Sequence, residues 1–354
     1  MRIIQKGKAG CIVLAGGLGT RLGHKGPKGT FPVSLVKKKT LFQLLFERIY
    51  WLQKKCGSTL PLALLVSSYN QEMTVKFLKK YQYFGLKPSQ ITFLEQKNIP
   101  YLNLQKKPLA LVAPNGNGGF LEEAIESGLL DRWAQKGIEF IYMVPIDNPL
   151  ADPFDAGLMD AMMRSESDVG VKAFNRDDPD EKVGIMVREK GKVVVKDYTA
   201  IPLKTLHAKD AKGTLKYPLG NTGCYCFRTS FLQKLAQRKI KLPVHWVLKE
   251  VQQGKKTFKA WKGEMFALDL LNYSDATAVI SYPKETSFTP LKSRCDLKTM
   301  RKNLVQRDRR IFEELTGKKT PQRSFELSAE FLYPSLKLIK QWKGKSLPPR
   351  KYID

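Results

Sequence analysis

The chain has 354 residues, 42% of them hydrophobic, with 61 Lys and Arg against 33 Asp and Glu for a formal net charge of +28. Such length and apolar content bury a large core and exclude a disordered chain, and no run of about 18 apolar residues supports a membrane span. Residues 283–354 carry a net charge of +10 and the other +18 is spread over the rest of the chain, which fits a basic surface attracting anionic substrates better than one nucleic-acid stripe.

The opening MRIIQKGKAGC ends in a lipobox-like AGC, but Lys6 and Lys8 fall where a signal peptide needs apolar residues, so no leader is expected. Cys11, Cys56, Cys224, Cys226 and Cys295 form no C-x-x-C pair and the three histidines are scattered, which argues against zinc and suits a reducing cytoplasm. Ile12 to Ala15 reads as a strand entering a loop with Gly16, Gly17, Gly19, Gly23, Gly26 and Gly29, along which Arg21, Lys25 and Lys28 are spaced. Glycines let backbone N–H groups approach phosphate oxygens, and the cations add charge-assisted contacts, so the loop suits a polyphosphate. It is no Rossmann fingerprint, because Gly17, Gly19 and Gly23 give G-x-G-x-x-x-G, and no register supplies a Walker A loop.

Thr40 to Lys55 predicts a helix with Leu41, Leu45, Ile49 and Leu52 on one face, a Thr40/Gln43 capping box and a stop at Gly57. Leu62 to Val66 is a buried strand, Gln71 to Lys80 a helix and Ile91 to Leu94 a strand, an alternation that predicts a parallel α/β sheet with right-handed crossovers. Ligands in such sheets sit beyond the carboxyl ends of the strands. Gln96, just past the third strand, has the donor and acceptor to pair with a uracil or cytosine edge, or is an exposed loop amide. LVAPNGNGGF is a second glycine loop, in which Gly116, Gly118 and Gly119 admit a ring or ribose and Asn117 suits sugar hydroxyls, or it is a plain turn; a helix over Leu121 to Gln135 follows.

Ile138 to Ile146 is a strand delivering Asp147 and Asn148 at its carboxyl end, either to hold Mg²⁺ between phosphates or to cap a helix beginning near Pro153. Strands over Val169 to Phe174, Val183 to Val187 and Val193 to Tyr198 follow, the last two forming a hairpin over Glu189 to Gly191. They make the expected sugar side, with Asp197 and Asn221 as hydroxyl binders. Lys292 follows SFTPL, whose Pro290 fixes the backbone ahead of it. From Leu297 the chain reads as charged helical segments, and LPPRKYID as a frayed end.

Taken in order, LAGGLGTRLG with PKG, FLEQ, NGNGG, IDNPLADP, EKVG with VKDY and GNTG, and FTPLK resemble the UDP-sugar pyrophosphorylases over about residues 12 to 294, most closely the eukaryotic-type UDP-N-acetylglucosamine pyrophosphorylases. The resemblance implies a Rossmann-like, GT-A-like nucleotidyltransferase fold with a mixed, mostly parallel sheet. It implies a catalytic domain over 1–282, with a nucleotide half to about 150 and a sugar half over about 151–282, followed by a small basic segment over 283–354. It implies a cytoplasmic enzyme taking UTP and a hexose 1-phosphate with Mg²⁺. Arg21, Lys28 and Lys292 would act on the phosphates, and Asp147 on the metal. Gly16, Gly17, Gly19, Gln96, Gly116 and Asn117 would hold the nucleotide, and Gly184, Asp197 and Asn221 the sugar. GNGG replaces the G-H-G-D loop of UDP-glucose pyrophosphorylases and favours N-acetylglucosamine 1-phosphate, while Asp197, one methylene shorter than the family's usual glutamate, leaves glucose 1-phosphate as the alternative. The rival from another class is a basic nucleic-acid-binding α/β protein, which explains the charge but not the ordered glycine loops.

Overall fold

The computed structural model describes residues 1–254 and 256–354. The strand ahead of the glycine loop, Ala9–Leu14, lies inside a sheet whose order is Thr277–Tyr282, Val169–Asn175, Leu219–Arg228, Phe140–Pro145, Ala9–Leu14, Leu62–Ser67, Ile91–Gln96. Neighbours pair in parallel except Leu219–Arg228, which runs antiparallel to both of its own. The hairpin Ile185–Glu189 and Lys192–Lys196 joins this sheet where Gly220 pairs with Ile185. The expected mixed, mostly parallel α/β sheet is therefore present.

The central strands are continuous apolar runs because both faces are covered. Val13, Leu64 and Tyr142 pack on one face with Phe42, Phe46 and Ile49 of helix Leu41–Cys56. Ile12, Leu65 and Met143 pack on the other with Phe120, Leu121 and Trp133. The capping box at Thr40 is only half formed. Gln43 N–H donates to Thr40 Oγ1 (3.2 Å), but the Gln43 side-chain amide turns to the Glu47 carboxylate (2.8 Å), a charged and therefore stronger acceptor one turn on. The helix expected over Leu121 to Gln135 is two, Phe120–Glu126 and Leu129–Gln135, because Gly128 takes a left-handed conformation between them.

A second sheet, His245–Gln253, Lys256–Glu264, Asn98–Leu102 and Pro108–Pro114, is antiparallel and stands outside the main one. In the C-terminal segment, helix Asp296–Thr316 carries Phe312 into a core of its own with Phe325, Phe331 and Trp342. The tail is not frayed: Tyr352–Ile353 pairs with Glu326–Leu327, Ile353 is fully buried, and Tyr352 OH meets Lys39 Nζ at 3.1 Å. An apolar side chain and a new strand pair outweigh the entropy of the proline-bearing end. Among the described residues no helix is long and apolar enough to cross a membrane.

Candidate active site

The glycine loop leaves the carboxyl end of Ala9–Leu14 and is fastened from the neighbouring strand. Ser67 Oγ donates to Gly16 O (2.9 Å), and Asn70 Nδ2 donates to Ala15 O (2.8 Å) and Gly17 O (3.3 Å). Asn70 is fully buried and its own Oδ1 accepts from Ser67 N–H. It stands at a helix N-terminus, so its sequence position reads as an ordinary cap; the structure commits its side chain to the loop instead.

Gln96 ends its strand and reaches across to the loop. Gln96 Nε2 donates to Gly116 O at 2.7 Å, and the amide oxygen lies so close to Gly16 that a Cβ there would stand 2.1 Å away. Gln96 is a buried amide and not an exposed loop residue. Gly116 has φ +89°, and a Cβ on it would meet Met265 O at 2.4 Å, so only glycine lets the second loop pass under the outer sheet. Asn117 Oδ1 accepts from Ala267 N–H (2.9 Å), pinning this loop to the segment after strand Lys256–Glu264.

These residues surround a cavity of about 240 Å³, lined by Gly16, Gly17, Lys28, Gln96, Asn117 and Asp147 together with apolar strand-end side chains. Lys28 Nζ and Asp147 Oδ2 meet there at 3.1 Å, with side chains 20% and 23% exposed. Lys28 is set by its own N–H donating to Gly17 O (3.0 Å). Asp147 O accepts from Leu291 N–H (2.8 Å), while Asn148 accepts from Thr289 N–H and donates to Ser287 O. Helix Ala156–Arg164 is capped by Asp155, so neither Asp147 nor Asn148 serves as its cap.

Gly19, Arg21, Gly116, Gly184, Asp197, Asn221 and Lys292 do not line this cavity. Arg21 and Lys292 are exposed, on segments joined where Arg294 Nε donates to Leu22 O (2.5 Å). Gly184 and Asn221 do come together: Asn221 N–H donates to Gly184 O (2.8 Å), and the Asn221 amide donates to Tyr225 OH (2.8 Å). Asp197 is exposed, one residue past Lys196, which pairs with Ile185; its carboxylate accepts from Thr199 N–H at 2.9 Å. The bulge at Asn221–Cys224 brings Gly223 up against Pro145, so this hairpin end adjoins the strand that delivers Asp147.

The loop after Asp147 is braced from behind by residues without a motif. Arg48 binds Asp152 Oδ2 (2.9 Å) and Ala151 O (3.2 Å), and its Nε donates to Tyr333 OH (3.1 Å) in the C-terminal segment. Burial opposes the Arg48 charge, yet Asp152 and Tyr333 hold the guanidinium above its ordinary pKa. Asp155 accepts from Lys172 Nζ (2.7 Å) and Tyr282 OH (2.9 Å) as well as from Gly157 and Leu158 N–H.

A mostly parallel sheet with a glycine loop, a buried amide and a Lys–Asp pair at its carboxyl edge defines a Rossmann-like α/β class built around an anion-suited loop. The chain belongs to the UTP–glucose-1-phosphate uridylyltransferase family, which matches residues 5–340, as the sequence motifs led us to expect. It is 32% identical over 318 residues to UDP-N-acetylglucosamine diphosphorylase 2 of Arabidopsis thaliana, covering 83% of this chain and 62% of that protein, so it spans under two thirds of that relative. A solved uridine diphosphate N-acetylglucosamine pyrophosphorylase from Trypanosoma brucei, in complex with inhibitor, matches with a TM-score of 0.86 at 26% identity, covering 100% of this chain and 80% of that one. The fold is shared with a UDP-glucose phosphorylase from the same organism (TM-score 0.72, 22% identity, 84% of this chain and 65% of that one).

Proposed function

We propose that the chain is a uridylyltransferase that joins UTP to N-acetylglucosamine 1-phosphate, giving UDP-N-acetylglucosamine and pyrophosphate in the cytoplasm. The observation that carries this reading is the cavity with Gln96 against Gly16 and the Lys28–Asp147 pair. The named activities of the relatives support the acceptor, and five unpaired cysteines suit the compartment.

One of the two Gln96 amide hydrogens goes to Gly116 O, which leaves the other hydrogen and the oxygen for a base edge. Uracil meets that acceptor and donor with N3–H and a ring carbonyl, and the uridine diphosphate sugars in the relatives' names favour it over cytosine. A phosphate oxygen of the sugar phosphate attacks the α-phosphorus in line. One P–O bond forms, the bond to the β-phosphate oxygen breaks, and pyrophosphate leaves. Two anionic groups must approach each other, so the residues' work is positional and electrostatic. Lys28 takes the triphosphate from within the cavity, and Arg21 and Lys292 close on the phosphates from their exposed segments. Gly184, Asn221 and Asp197 take the sugar from the hairpin end.

The donor set suits Mg²⁺. Asp147 is one part-exposed carboxylate at a strand end, and among the described residues no group of three or more His, Cys, Asp or Glu side chains is placed to hold a metal. One carboxylate plus substrate phosphates is a usual way to bind this hard cation, which when bound neutralises phosphate charge. A pyrophosphate-release assay with UTP, Mg²⁺ and a panel of hexose 1-phosphates tests the reading. N-acetylglucosamine 1-phosphate should react fastest. Preference for glucose 1-phosphate would replace the acceptor, and no release with any sugar would remove the function.

A further inference from the structure

Helix Asp296–Thr316 lays Arg301, Lys302, Gln306 and Arg309 along a concavity of about 440 Å³, closed by Arg323 and Ser324. Among the described residues four cations line it and no carboxylate does. The arginines are held by main-chain carbonyls. Arg309 donates to Thr320 O (3.2 Å), Pro321 O (2.9 Å) and Arg323 O (3.1 Å). Arg323 donates to the carbonyls of Pro348, Pro349 and Arg350, and Arg301 Nε donates to Val33 O (3.0 Å).

A carbonyl orients a guanidinium without cancelling its charge, whereas a carboxylate does both. The contrast is on the same helix: Arg307 is paired twice to the Asp308 carboxylate, at 2.9 and 2.7 Å. Arg301, Arg309 and Arg323 are therefore part-buried, fixed in place and unneutralised within their groove. Clustered like charges repel, and an anion bound among them relieves the repulsion without reordering the side chains. Ser324 and Gln306 are exposed beside them as neutral donors. The adjoining concavity shares Gln306 and Arg309 and adds Arg310, Lys318 and Lys319, but also Glu313 and Glu314. The purely cationic stretch is thus short, which fits a compact anion better than the extended backbone of a nucleic acid.

We propose that this groove is a binding site for a compact polyphosphate anion, separate from the glycine-loop cavity. The full chain titrated calorimetrically with inorganic tripolyphosphate in magnesium-free buffer at roughly 0.15 M salt tests it, a strength that screens diffuse surface charge. Wild type should show two binding events. Lys28→Met should weaken one, and Lys302→Glu, an exposed change that leaves the fold intact, should weaken the other about tenfold or more. Arg323→Gln should weaken the same event as Lys302→Glu. A single event, lost with Lys28→Met and untouched by Lys302→Glu, overturns the proposal. Tighter binding of a single-stranded oligonucleotide than of tripolyphosphate, sensitive to Lys302→Glu, overturns it in favour of nucleic acid.

Discussion

Gly16→Ala is the substitution on which the geometry speaks most directly. The added Cβ would stand 2.1 Å from Gln96 Oε1 and 3.2 Å from Gln96 Cδ, where real Cβ contacts essentially never fall below 3.0 Å. The oxygen must retreat by about 1 Å, and because it ends a flexible side chain the retreat costs the fold little, roughly 1 kcal/mol or less. The functional cost falls elsewhere. The displaced amide no longer offers its oxygen at the base position. A base N–H held in the site without that acceptor costs about 1–3 kcal/mol, so kcat/KM for UTP should fall about 5-fold to 150-fold. The urea midpoint should move little, and the KM for the sugar phosphate should stay unchanged. Steady-state kinetics should be run on Gly16→Ala, Gln96→Ala and the double variant. In the Gln96→Ala background the extra methyl meets no oxygen, so it should add almost nothing. An unchanged kcat/KM for UTP in the single variant, or an equal penalty in both backgrounds, would refute the reasoning.

Lys28→Met and Asp147→Asn should each lower turnover about 100-fold to 1,000-fold, as removal of one preorganised charged partner does, with circular dichroism unchanged. EDTA should abolish wild-type activity and added Mg²⁺ restore it, with Asp147→Asn needing more Mg²⁺ than wild type. Tyr333→Phe removes the hydroxyl that meets Arg48 at 3.1 Å and should cost about 1 kcal/mol in urea unfolding, with a larger loss of activity at limiting than at saturating Mg²⁺ because Arg48 braces the loop after Asp147. Burial alone would raise the Asp155 carboxyl, but Lys172, the Leu158 N–H and Tyr282 OH outweigh it and hold the group below its ordinary pKa. Such a group contributes stability above its unfolded pKa of about 3.9 and loses it as pH falls through the folded value. Asp155→Asn should therefore be less stable than wild type at neutral pH and show a shallower fall in Tm below about pH 4; equal acid slopes would show that Asp155 carries none of that stability.

Apolar periodicity made the parallel layers legible. The strands around Ile12, Leu64 and Met143 are continuous apolar runs because helices cover both faces, and Gly57 does end the helix that begins at Leu41. The outer four-stranded sheet gave no such signal. His245–Gln253 leaves seven of its nine residues exposed, so no alternation marks HWVLKEVQQ as a strand. Yet Met265, just past the partner strand, is what makes Gly116 indispensable. Ile353 was hidden for the opposite reason: one buried side chain in a charged, proline-bearing tail carries no periodicity, and its partner strand is only Glu326–Leu327.

The cavity itself follows from strand order more than from any motif. Gly16 and Gln96 are distant in sequence, but one strand, Leu62–Ser67, lies between theirs in the sheet. Parallel register pairs Leu14 with Leu65 and Ser67 with Gln96, so the ends of all three strands come out at one level. Ser67 then holds Gly16 O through its hydroxyl while Gln96 stands beside it in the ladder. Glycine at 16 is what lets the amide cross above Ser67 to reach Gly116 O. Each strand could be read from its own apolar run, but the contact between loop and amide needs the register, which only the folded sheet supplies. The same logic explains why Asn70 escaped notice: its side chain matters only because the strand before it ends level with Ala15 and Gly17.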